Sequence, residues 1–187
     1  MAAADPARLT LVSGPARSGK SRWAEHLAAG SGRRVVYLAT GPLPAGDAAW
    51  EARIERHRRR RPAEWACHEV QGSLTPALEG LTAADLGLVD SLGTWVAAHL
   101  DREAEDWDGE VEALERALLG CAAPLVLVAE EVGWGVVPPT AAGGRFRDRL
   151  GGLLDRLVPR CDAAWLVIHG RALDLLAQGR PVPPAAR

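Results

Sequence analysis

Apolar residues fall in short runs along this chain, each about five residues long and bounded by Gly, Pro or charged residues. Runs of this kind predict buried β-strands. The five clearest cover residues 9–13, 35–39, 86–90, 125–129 and 164–168.

Between these runs, apolar residues recur at the spacing of a helix that buries one face. Residues 110–121 and 145–158 show this periodicity, the Leu/Ala-rich stretch 74–85 is predicted to be a further packing helix, and residues 21–29 are predicted to form a helix after the first strand. Strands that alternate with helices predict an α/β fold, with a mostly parallel central sheet flanked by helices on both faces. Ligands of such sheets gather at the carboxyl ends of the strands, so the functional side chains are expected there.

Length and composition fit one domain over residues 1–187. Hydrophobic residues make up 48% of the chain and charged residues 25%, as in ordinary globular proteins with one core. The formal net charge of −2 gives no overall attraction for polyanions, so we expect no nucleic-acid partner. The last residues, about 177–187, are too rich in proline to continue a helix and are predicted to form a mobile tail.

Cysteine usage and hydropathy predict a cytoplasmic protein. Cys67, Cys121 and Cys161 are odd in number and far apart, without a C-x-x-C pair. This pattern indicates a reducing compartment, and neither a disulfide framework nor a zinc site. The start of the chain carries Asp5 and Pro6 and lacks the apolar core of a signal peptide. No apolar run reaches the roughly 18 residues of a membrane span.

Residues 14–21 follow the first predicted strand and fit G-x-x-x-x-G-K-[ST], the pattern of a phosphate-binding loop. Glycines let the backbone N–H groups turn toward phosphate oxygens, the lysine reaches the β- and γ-phosphates, and the final hydroxyl can ligate Mg²⁺. The helix predicted directly afterwards adds the positive end of its dipole. The predicted nucleotide-binding residues of this loop are Gly14, Pro15, Ala16, Arg17, Ser18, Gly19, Lys20 and Ser21.

The alternative for this motif is a chance match in a glycine-rich chain. Composition argues against it, because Lys20 is the only lysine beside 21 arginines. A compact ammonium at this one position indicates a geometric demand that a planar guanidinium does not meet.

Polar residues end two further predicted strands. Asp90 closes the third strand, where a carboxylate beside a phosphate loop is placed to hold Mg²⁺ together with Ser21. The alternative is that Asp90 caps the next helix. Thr40, Gly41 and Pro42 follow the second strand and are candidates for nucleotide contact, although Gly-Pro after a strand is ordinarily a turn.

An arginine-rich segment with one histidine is predicted to form a helix from near Asp47 to near Arg61, before Pro62. On such a helix Arg53, His57 and Arg60 or Arg61 share one face. Flanking guanidinium groups disfavour the protonated imidazole, and a neutral imidazole is the form that attacks phosphorus. The arginines would neutralise the phosphates under attack. The alternatives are a solvated basic face or a nucleic-acid patch.

The fourth predicted strand leads into a loop with two carboxylates and a tryptophan. Glu130 or Glu131 is a candidate general base or further metal partner, and the sequence does not choose between them. Trp134 is a candidate cover for a large substrate or a subunit contact, with simple packing as the alternative.

Two of these motifs become specific in combination with the phosphate loop: R-I-x-x-H at 53–57 and E-V-G-x-G-x-V-P at 131–138. Together they resemble the family of bifunctional adenosylcobinamide kinases/adenosylcobinamide-phosphate guanylyltransferases of cobalamin assembly. The stretches that carry the resemblance occur in the family's order and span most of the chain, at 14–22, 24–25, 37–40, 52–62, 65, 90–95, 131–138 and 145–148.

The resemblance implies two reactions on a RecA-like P-loop NTPase fold that assembles as a homotrimer. In the first, ATP or GTP phosphorylates adenosylcobinamide. In the second, a histidine that matches His57 takes GMP from GTP, releases pyrophosphate, and passes GMP to adenosylcobinamide phosphate. Lys20 and His57 are then the catalytic residues, and Ser21 and Asp90 the Mg²⁺ ligands. The implied nucleotide contacts outside the phosphate loop are Thr40, Gly41, Pro42, Arg58, Arg59, Arg60, Arg61, Glu69 and Asp90.

Two departures from the family pattern bear on these expectations. Pro15 stands where the family usually has a second glycine, and a proline removes one N–H from the loop and stiffens it. Glu130 replaces a frequent asparagine and adds a charge. The rival interpretations are a guanylyltransferase with weak or absent kinase activity, and a non-catalytic nucleotide-binding module.

Overall fold

The structure is a computed structural model that describes residues 7–41, 55 and 61–183. Seven strands form one sheet in these residues. The strands are β1 (Leu9–Gly14), β2 (Arg34–Ala39), β3 (Ala66–Glu69), β4 (Asp85–Asp90), β5 (Leu125–Glu130), β6 (Ala163–Ile168) and β7 (Arg171–Asp174). The helices are α1 (Lys20–Gly30), α2 (Leu74–Glu79), α3 (Leu92–Ala98), α4 (Ala104–Gly120), α5 (Ala141–Leu157) and α6 (Leu175–Gln178), with a 3₁₀ turn at Val158–Arg160.

The strand order across the sheet is β3-β2-β4-β5-β1-β6-β7. All neighbours are parallel except β6 and β7, which form an antiparallel hairpin. The prediction of a mostly parallel sheet is therefore confirmed. Each of the five predicted strands is present, with its ends within one residue of the predicted ones.

The two strands that sequence patterns missed lie at the two edges of the sheet. β3 has polar, exposed residues at His68 and Glu69, so it contains no apolar run. β7 has only four residues and is joined to β6 by His169 and Gly170, whose φ angles of 48° and 73° are both positive. Positive φ at both central residues is the conformation of a tight hairpin turn.

The four helices predicted at 21–29, 74–85, 110–121 and 145–158 are present with shifted ends. α4 starts six residues before its predicted start, in a stretch whose acidic residues Glu105 and Asp106 suit a helix N-terminus. α5 starts four residues early, where Thr140 caps it by accepting a hydrogen bond from Gly143 N–H at 3.1 Å. The helix predicted over 74–85 ends at Glu79, because β4 begins at Asp85. The arginine-rich helix predicted up to Arg61 falls largely outside the described residues.

Side chains alternate between two cores, one on each face of the sheet. Val12, Tyr37 and Leu88 pack with α1 on one face, whereas Leu11, Leu38 and Val89 pack with α2 to α5 on the other. Burial on both faces explains why the strands read as continuous apolar runs. None of the described helices has the length and apolar character to cross a bilayer.

Candidate active site

The phosphate loop lies between β1 and α1, as predicted. β1 ends at Gly14 and α1 begins at Lys20. Gly19 precedes the helix with φ of 103°, a conformation that strongly favours glycine. Arg17 also has a positive φ, of 59°. The chain therefore turns sharply between strand and helix, and the first turn of α1 faces the carboxyl edge of the sheet.

Hydrogen bonds within the loop and to the β6–β7 turn fix its shape. Ser18 N–H donates to the carbonyl oxygen of Pro15 at 3.3 Å, and Gly170 N–H donates to that of Ser18 at 3.2 Å. A Cβ on Gly14 would lie 2.7 Å from Ser18 Oγ and against the Val167 carbonyl oxygen. Gly14 is thus required by close packing, and the proline at 15 is accommodated as a hydrogen-bond acceptor.

Lys20 is buried in this loop, with a relative exposure of 6%. Its ammonium forms no ion pair with any residue in the described part of the chain. Burying a cation without a counter-charge is unfavourable. A bound phosphate would supply the missing charge, so the residue that the sequence singles out is placed as an anion-binding site requires.

The strand ends that were predicted to carry function meet at one edge of the sheet. Gly14 is in register with Glu130, and Ala39 is in register with both Asp90 and Glu69. Asp90 lies on the face of the sheet that α1 covers, because its carboxylate bonds with Tyr37, a core residue of that face. Asp90 and Ser21, in the first turn of α1, are therefore on the same side of the sheet.

The described residues bond only one oxygen of the Asp90 carboxylate. Its Oδ2 accepts a hydrogen bond from the Tyr37 hydroxyl at 2.8 Å, and its Oδ1 accepts none from the described residues. Ser91, and not Asp90, caps α3, since the Ser91 hydroxyl accepts from Thr94 N–H. The capping role considered for Asp90 is therefore wrong.

Thr40 is fully committed within the protein. The side chain is 1% exposed, and its hydroxyl accepts from Ser91 N–H at 2.8 Å and lies 2.6 Å from the Ser91 carbonyl oxygen. This hydroxyl joins the end of β2 to the start of α3. A nucleotide at this turn would therefore contact the backbone of Gly41. Pro42 lies outside the described residues.

The two glutamates after β5 have different roles in the fold. Glu130 Oε1 accepts from the Ser91 hydroxyl at 2.8 Å, and Glu130 Oε2 accepts from Gly93 N–H at 3.1 Å. Glu131 bonds to Gly133 N–H in the loop that follows, at 2.7 Å. Both oxygens of Glu130 are thus used to hold the N-terminus of α3.

Trp134 is 59% exposed, and the following Val136 and Val137 are more exposed still. Packing into the described part of the chain is therefore not the role of this tryptophan. The loop presents apolar side chains to solvent beside the carboxyl edge of the sheet.

Arg61 is the one arginine of the 58–61 run that the structure describes. Its guanidinium carbon lies 3.5 Å from the centre of the Tyr37 ring, and Nη1 donates to Cys67 Sγ at 3.1 Å. Glu69 is exposed at the end of β3. His57 and Arg58 to Arg60 lie outside the described residues.

Two features were missed by sequence reasoning. Tyr37 lies inside an apolar run and reads as core, although it is the only tyrosine of the chain and precedes a strand end by two residues. An open groove of about 260 Å³ lies beside the phosphate loop, against the β6–β7 hairpin. Its lining includes Arg22 and Trp23, and the indole N–H of Trp23 is buried with no hydrogen-bond partner in the described residues.

The described residues contain no group of three His, Cys, Asp or Glu side chains that could hold a metal. The Ser21 hydroxyl and the Asp90 carboxylate are the oxygen donors predicted for this edge, and hard oxygen donors of this kind suit a Mg²⁺ ion whose remaining ligands are nucleotide phosphates and water.

Comparison with known proteins agrees with this arrangement. The family model for cobinamide kinase / cobinamide phosphate guanyltransferase matches residues 10–175. The chain is 39% identical over 176 residues to the bifunctional adenosylcobalamin biosynthesis protein CobP of Pseudomonas aeruginosa, covering 92% of this chain and 98% of that protein. It is 36% identical over 180 residues to the corresponding protein CobU of Salmonella typhimurium, covering 87% of this chain and 96% of that protein.

A solved ATPase from a bacterial type III secretion system superposes with a TM-score of 0.55 at 12% identity, covering 93% of this chain and 59% of that chain. This likeness concerns the fold alone, and it agrees with the predicted P-loop NTPase fold. The family model spans most of the chain, and the two relatives align over nearly their whole length. The chain therefore belongs to the cobinamide kinase / cobinamide phosphate guanyltransferase family.

Proposed function

We propose that the chain phosphorylates adenosylcobinamide with ATP or GTP and then transfers GMP from GTP to the adenosylcobinamide phosphate so formed. The observation that carries the proposal is the phosphate loop with its buried Lys20, which has no counter-charge among the described residues. The family match over residues 10–175 gives this loop its substrate class.

In the kinase step, the substrate hydroxyl oxygen forms a bond to the γ-phosphorus as the bond to the β-phosphate oxygen breaks. The hydroxyl proton is lost, and the nucleoside diphosphate leaves. Backbone N–H groups of residues 14–21 and the Lys20 ammonium stabilise the negative charge on the phosphates. Pro15 contributes no N–H, so the loop has one donor fewer than its length permits.

Mg²⁺ is the proposed cofactor, held by the Ser21 hydroxyl and the Asp90 carboxylate. These hard oxygen donors suit Mg²⁺, which binds few protein ligands and keeps phosphate and water in its shell. When bound, the ion neutralises charge on the transferring phosphates. The chain's own contribution is to hold Asp90 with one oxygen available on the α1 side of the sheet.

In the transfer step, we assign His57 as the nucleophile. A neutral imidazole nitrogen bonds to the α-phosphorus of GTP as pyrophosphate leaves, and an oxygen of the cobinamide phosphate then displaces the histidine from that phosphorus. The support is the R-I-x-x-H match at 53–57 and the arginines beside it. Thr40, Gly41, Pro42, Arg58 to Arg61 and Glu69 complete the proposed nucleotide contacts.

The deciding experiment incubates the protein with Mg²⁺ and α-labelled GTP, denatures it, and measures the label that remains on the chain. We expect acid-labile, base-stable label on the unmodified protein and none on His57→Asn. His68→Asn, a substitution of an exposed histidine in β3, is the matched control and should keep the label. An unlabelled protein that still binds GTP would leave a kinase or a nucleotide-binding module as the function.

Pro15 favours one second candidate, a guanylyltransferase with weak or absent kinase activity, because the missing N–H weakens the phosphate cradle. Phosphorylation of adenosylcobinamide by ATP, compared between the unmodified protein and Pro15→Gly, separates the two. A kinase rate that appears only in Pro15→Gly would establish the second candidate.

The proposal also places the enzyme in the cytoplasm as a homotrimer. Cys67, Cys121 and Cys161 form no disulfide, which suits a reducing compartment. Sedimentation equilibrium measures the assembly directly, and a mass of one or two chains would contradict the trimer.

A further inference from the structure

We infer that Tyr37 is a positioning residue for the metal-binding carboxylate of Asp90, and that Arg61 holds Tyr37 in that role. The inference rests on the proposed function, because it assumes that Asp90 binds Mg²⁺. Within that assumption it assigns a task to the only tyrosine of the chain and to Arg61, the described residue at the end of the arginine-rich segment.

Strand register brings the Tyr37 hydroxyl to the carboxylate. Tyr37 is paired with Leu88 and Ala39 with Asp90 across β2 and β4, so Tyr37 and Asp90 are diagonal neighbours on one face. Long aromatic side chains bridge such diagonals. The hydroxyl donates to Asp90 Oδ2 at 2.8 Å, which fixes the carboxylate rotamer and leaves Oδ1 for another ligand.

The Tyr37 ring cannot turn away, because it is 1% exposed and packed in the core under α1. Arg61 covers the ring at 3.5 Å and is itself tied to Cys67 on β3. A guanidinium over an aromatic face is attracted by the ring quadrupole, more strongly when desolvated. The ring is thus held on one side by the core and on the other by Arg61.

The role requires a protonated phenol, since the hydroxyl must donate. Burial, followed by the negative charge of Asp90, raises the pKa of Tyr37 well above its usual value, with Arg61 acting in the opposite sense. The 2.8 Å contact itself identifies the phenol as the donor, because an ionised carboxylate can only accept a hydrogen bond.

Arg61 follows His57 by four residues in the sequence. The contact between Arg61 and Tyr37 therefore joins the segment that carries the proposed nucleophile to the residue that orients the proposed metal ligand. A change at Arg61 is expected to affect Mg²⁺ binding through Tyr37, as well as any contact of the arginine run with nucleotide.

The test measures the Kd of α,β-methylene-GTP, which cannot transfer GMP, by calorimetry with Mg²⁺ and with EDTA. The quantity of interest is the factor by which Mg²⁺ strengthens binding. A hydrogen bond to a charged group predicts that Tyr37→Phe lowers this factor about tenfold, while the Kd in EDTA changes less than about twofold. Asp90→Asn should abolish the strengthening.

The double variant Tyr37→Phe/Asp90→Asn separates positioning from general damage. If Tyr37 acts through Asp90, removing its hydroxyl has no further effect once the carboxylate is gone. The inference would be overturned if Tyr37→Phe weakened binding of the GTP analogue by the same factor with Mg²⁺ and with EDTA. It would also be overturned if Tyr37→Phe weakened binding in Mg²⁺ by the same factor in the Asp90→Asn background as in the unmodified protein. Full Mg²⁺ strengthening in Asp90→Asn would overturn the metal assignment and this inference together, without touching the His57 label test.

A variant of Arg61 covers the case in which Tyr37→Phe does not fold. Arg61→Ala removes the guanidinium that covers the Tyr37 ring and leaves the phenol in place. We expect the factor by which Mg²⁺ strengthens binding to fall, whatever the change in the Kd measured in EDTA. An unchanged factor would overturn the inference.

Discussion

The strand β4 begins and ends with an aspartate, and the two carboxylates differ in how fully the protein satisfies them. Asp85, at the amino end, accepts from Arg34 Nε at 2.6 Å and from the backbone and hydroxyl of Thr82 at 2.9 and 2.8 Å. The carboxylate of Asp90, at the carboxyl end, accepts from Tyr37 alone among the residues that the structure describes. One strand therefore carries a structural carboxylate at one end and an under-coordinated one at the other.

Glu130 provides a third carboxylate for this comparison, because it lies at the same carboxyl edge of the sheet as Asp90. Its two oxygens are bonded to Ser91 and Gly93, so it is satisfied like Asp85 although it lies where a ligand would bind. Position at a strand end is thus not enough to make a carboxylate functional. What distinguishes Asp90 is an oxygen that the described residues leave for a ligand.

The largest expected effect is on catalysis, from Asp90→Asn. The amide oxygen can still accept from Tyr37, so the fold should be kept, while the charge that we propose to bind Mg²⁺ is lost. We expect a fall of about 100-fold or more in the rate of GMP transfer to His57 and little change in thermal unfolding. Rapid-quench measurement of label transfer at saturating Mg²⁺ tests this prediction. A fall of less than fivefold in the transfer rate would indicate that Asp90 has only a structural role.

The matching change at the other end of the strand, Asp85→Asn, is expected to lower stability and spare activity. Loss of charge-assisted hydrogen bonds in a buried site predicts a cost of about 2 kcal/mol in the free energy of unfolding at pH 7. The hydrogen bond from Arg34 is the main cause that holds the pKa of Asp85 well below its usual range.

Because the pKa of Asp85 is lowered in the folded protein, the free energy of unfolding depends on pH. A depressed folded-state pKa stabilises the protein above the unfolded pKa, near 4, and this contribution is lost as pH falls below it. We therefore expect the difference in the free energy of unfolding between Asp85→Asn and the unmodified protein, measured by urea unfolding, to become smaller from pH 6 to pH 3. A difference that stays constant over this range would contradict the stabilising role given to the Asp85 charge.

The smallest expected effect comes from Gly93→Ala, which tests the commitment of Glu130. A Cβ on Gly93 would lie 2.8 Å from Glu130 Cδ, so the glutamate must give up its bonds to Ser91 and Gly93. We expect a cost of about 1 kcal/mol in the free energy of unfolding, which disappears in the Glu130→Ala background.

Gly109→Ala is the matched control for that measurement. Gly109 lies in α4, and nothing is within 4 Å of the position a Cβ would take. An alanine there should stabilise the protein by about 0.5–1 kcal/mol. If Gly93→Ala stabilises the protein to the same degree, Glu130 is free to move. That result would contradict the claim that Glu130 is held by its hydrogen bonds as Asp85 is.

Sequence patterns predicted the parts of the fold that are governed by burial. The central strands are buried on both faces and could be found from their apolar runs, and α1 from the motif before it. Edge strands β3 and β7 could not be found in this way, because each has only four residues and β3 is mostly exposed, so neither leaves a periodic signal. The starts of α4 and α5 depend on acidic residues and a threonine cap, which local periodicity does not report.

The site was predicted in the same uneven way. Spacing alone predicted that the loop would lie between β1 and α1 and that Asp90 would end a strand, because both positions are set by consecutive residues. The roles of Tyr37, Thr40 and Glu130 depend on which residue faces which across neighbouring strands. That information lies in the register of the sheet, between residues more than 30 positions apart in the sequence.

Because Lys20 is the only lysine of the chain, its side chain can serve as a single spectroscopic probe of the phosphate loop. Protein grown with isotopically labelled lysine carries one labelled side chain, buried in the loop. Its nuclear magnetic resonance signal would report the arrival of a phosphate there without any substitution. Each candidate donor and product could then be titrated against one resonance, and the order in which they occupy the loop read directly.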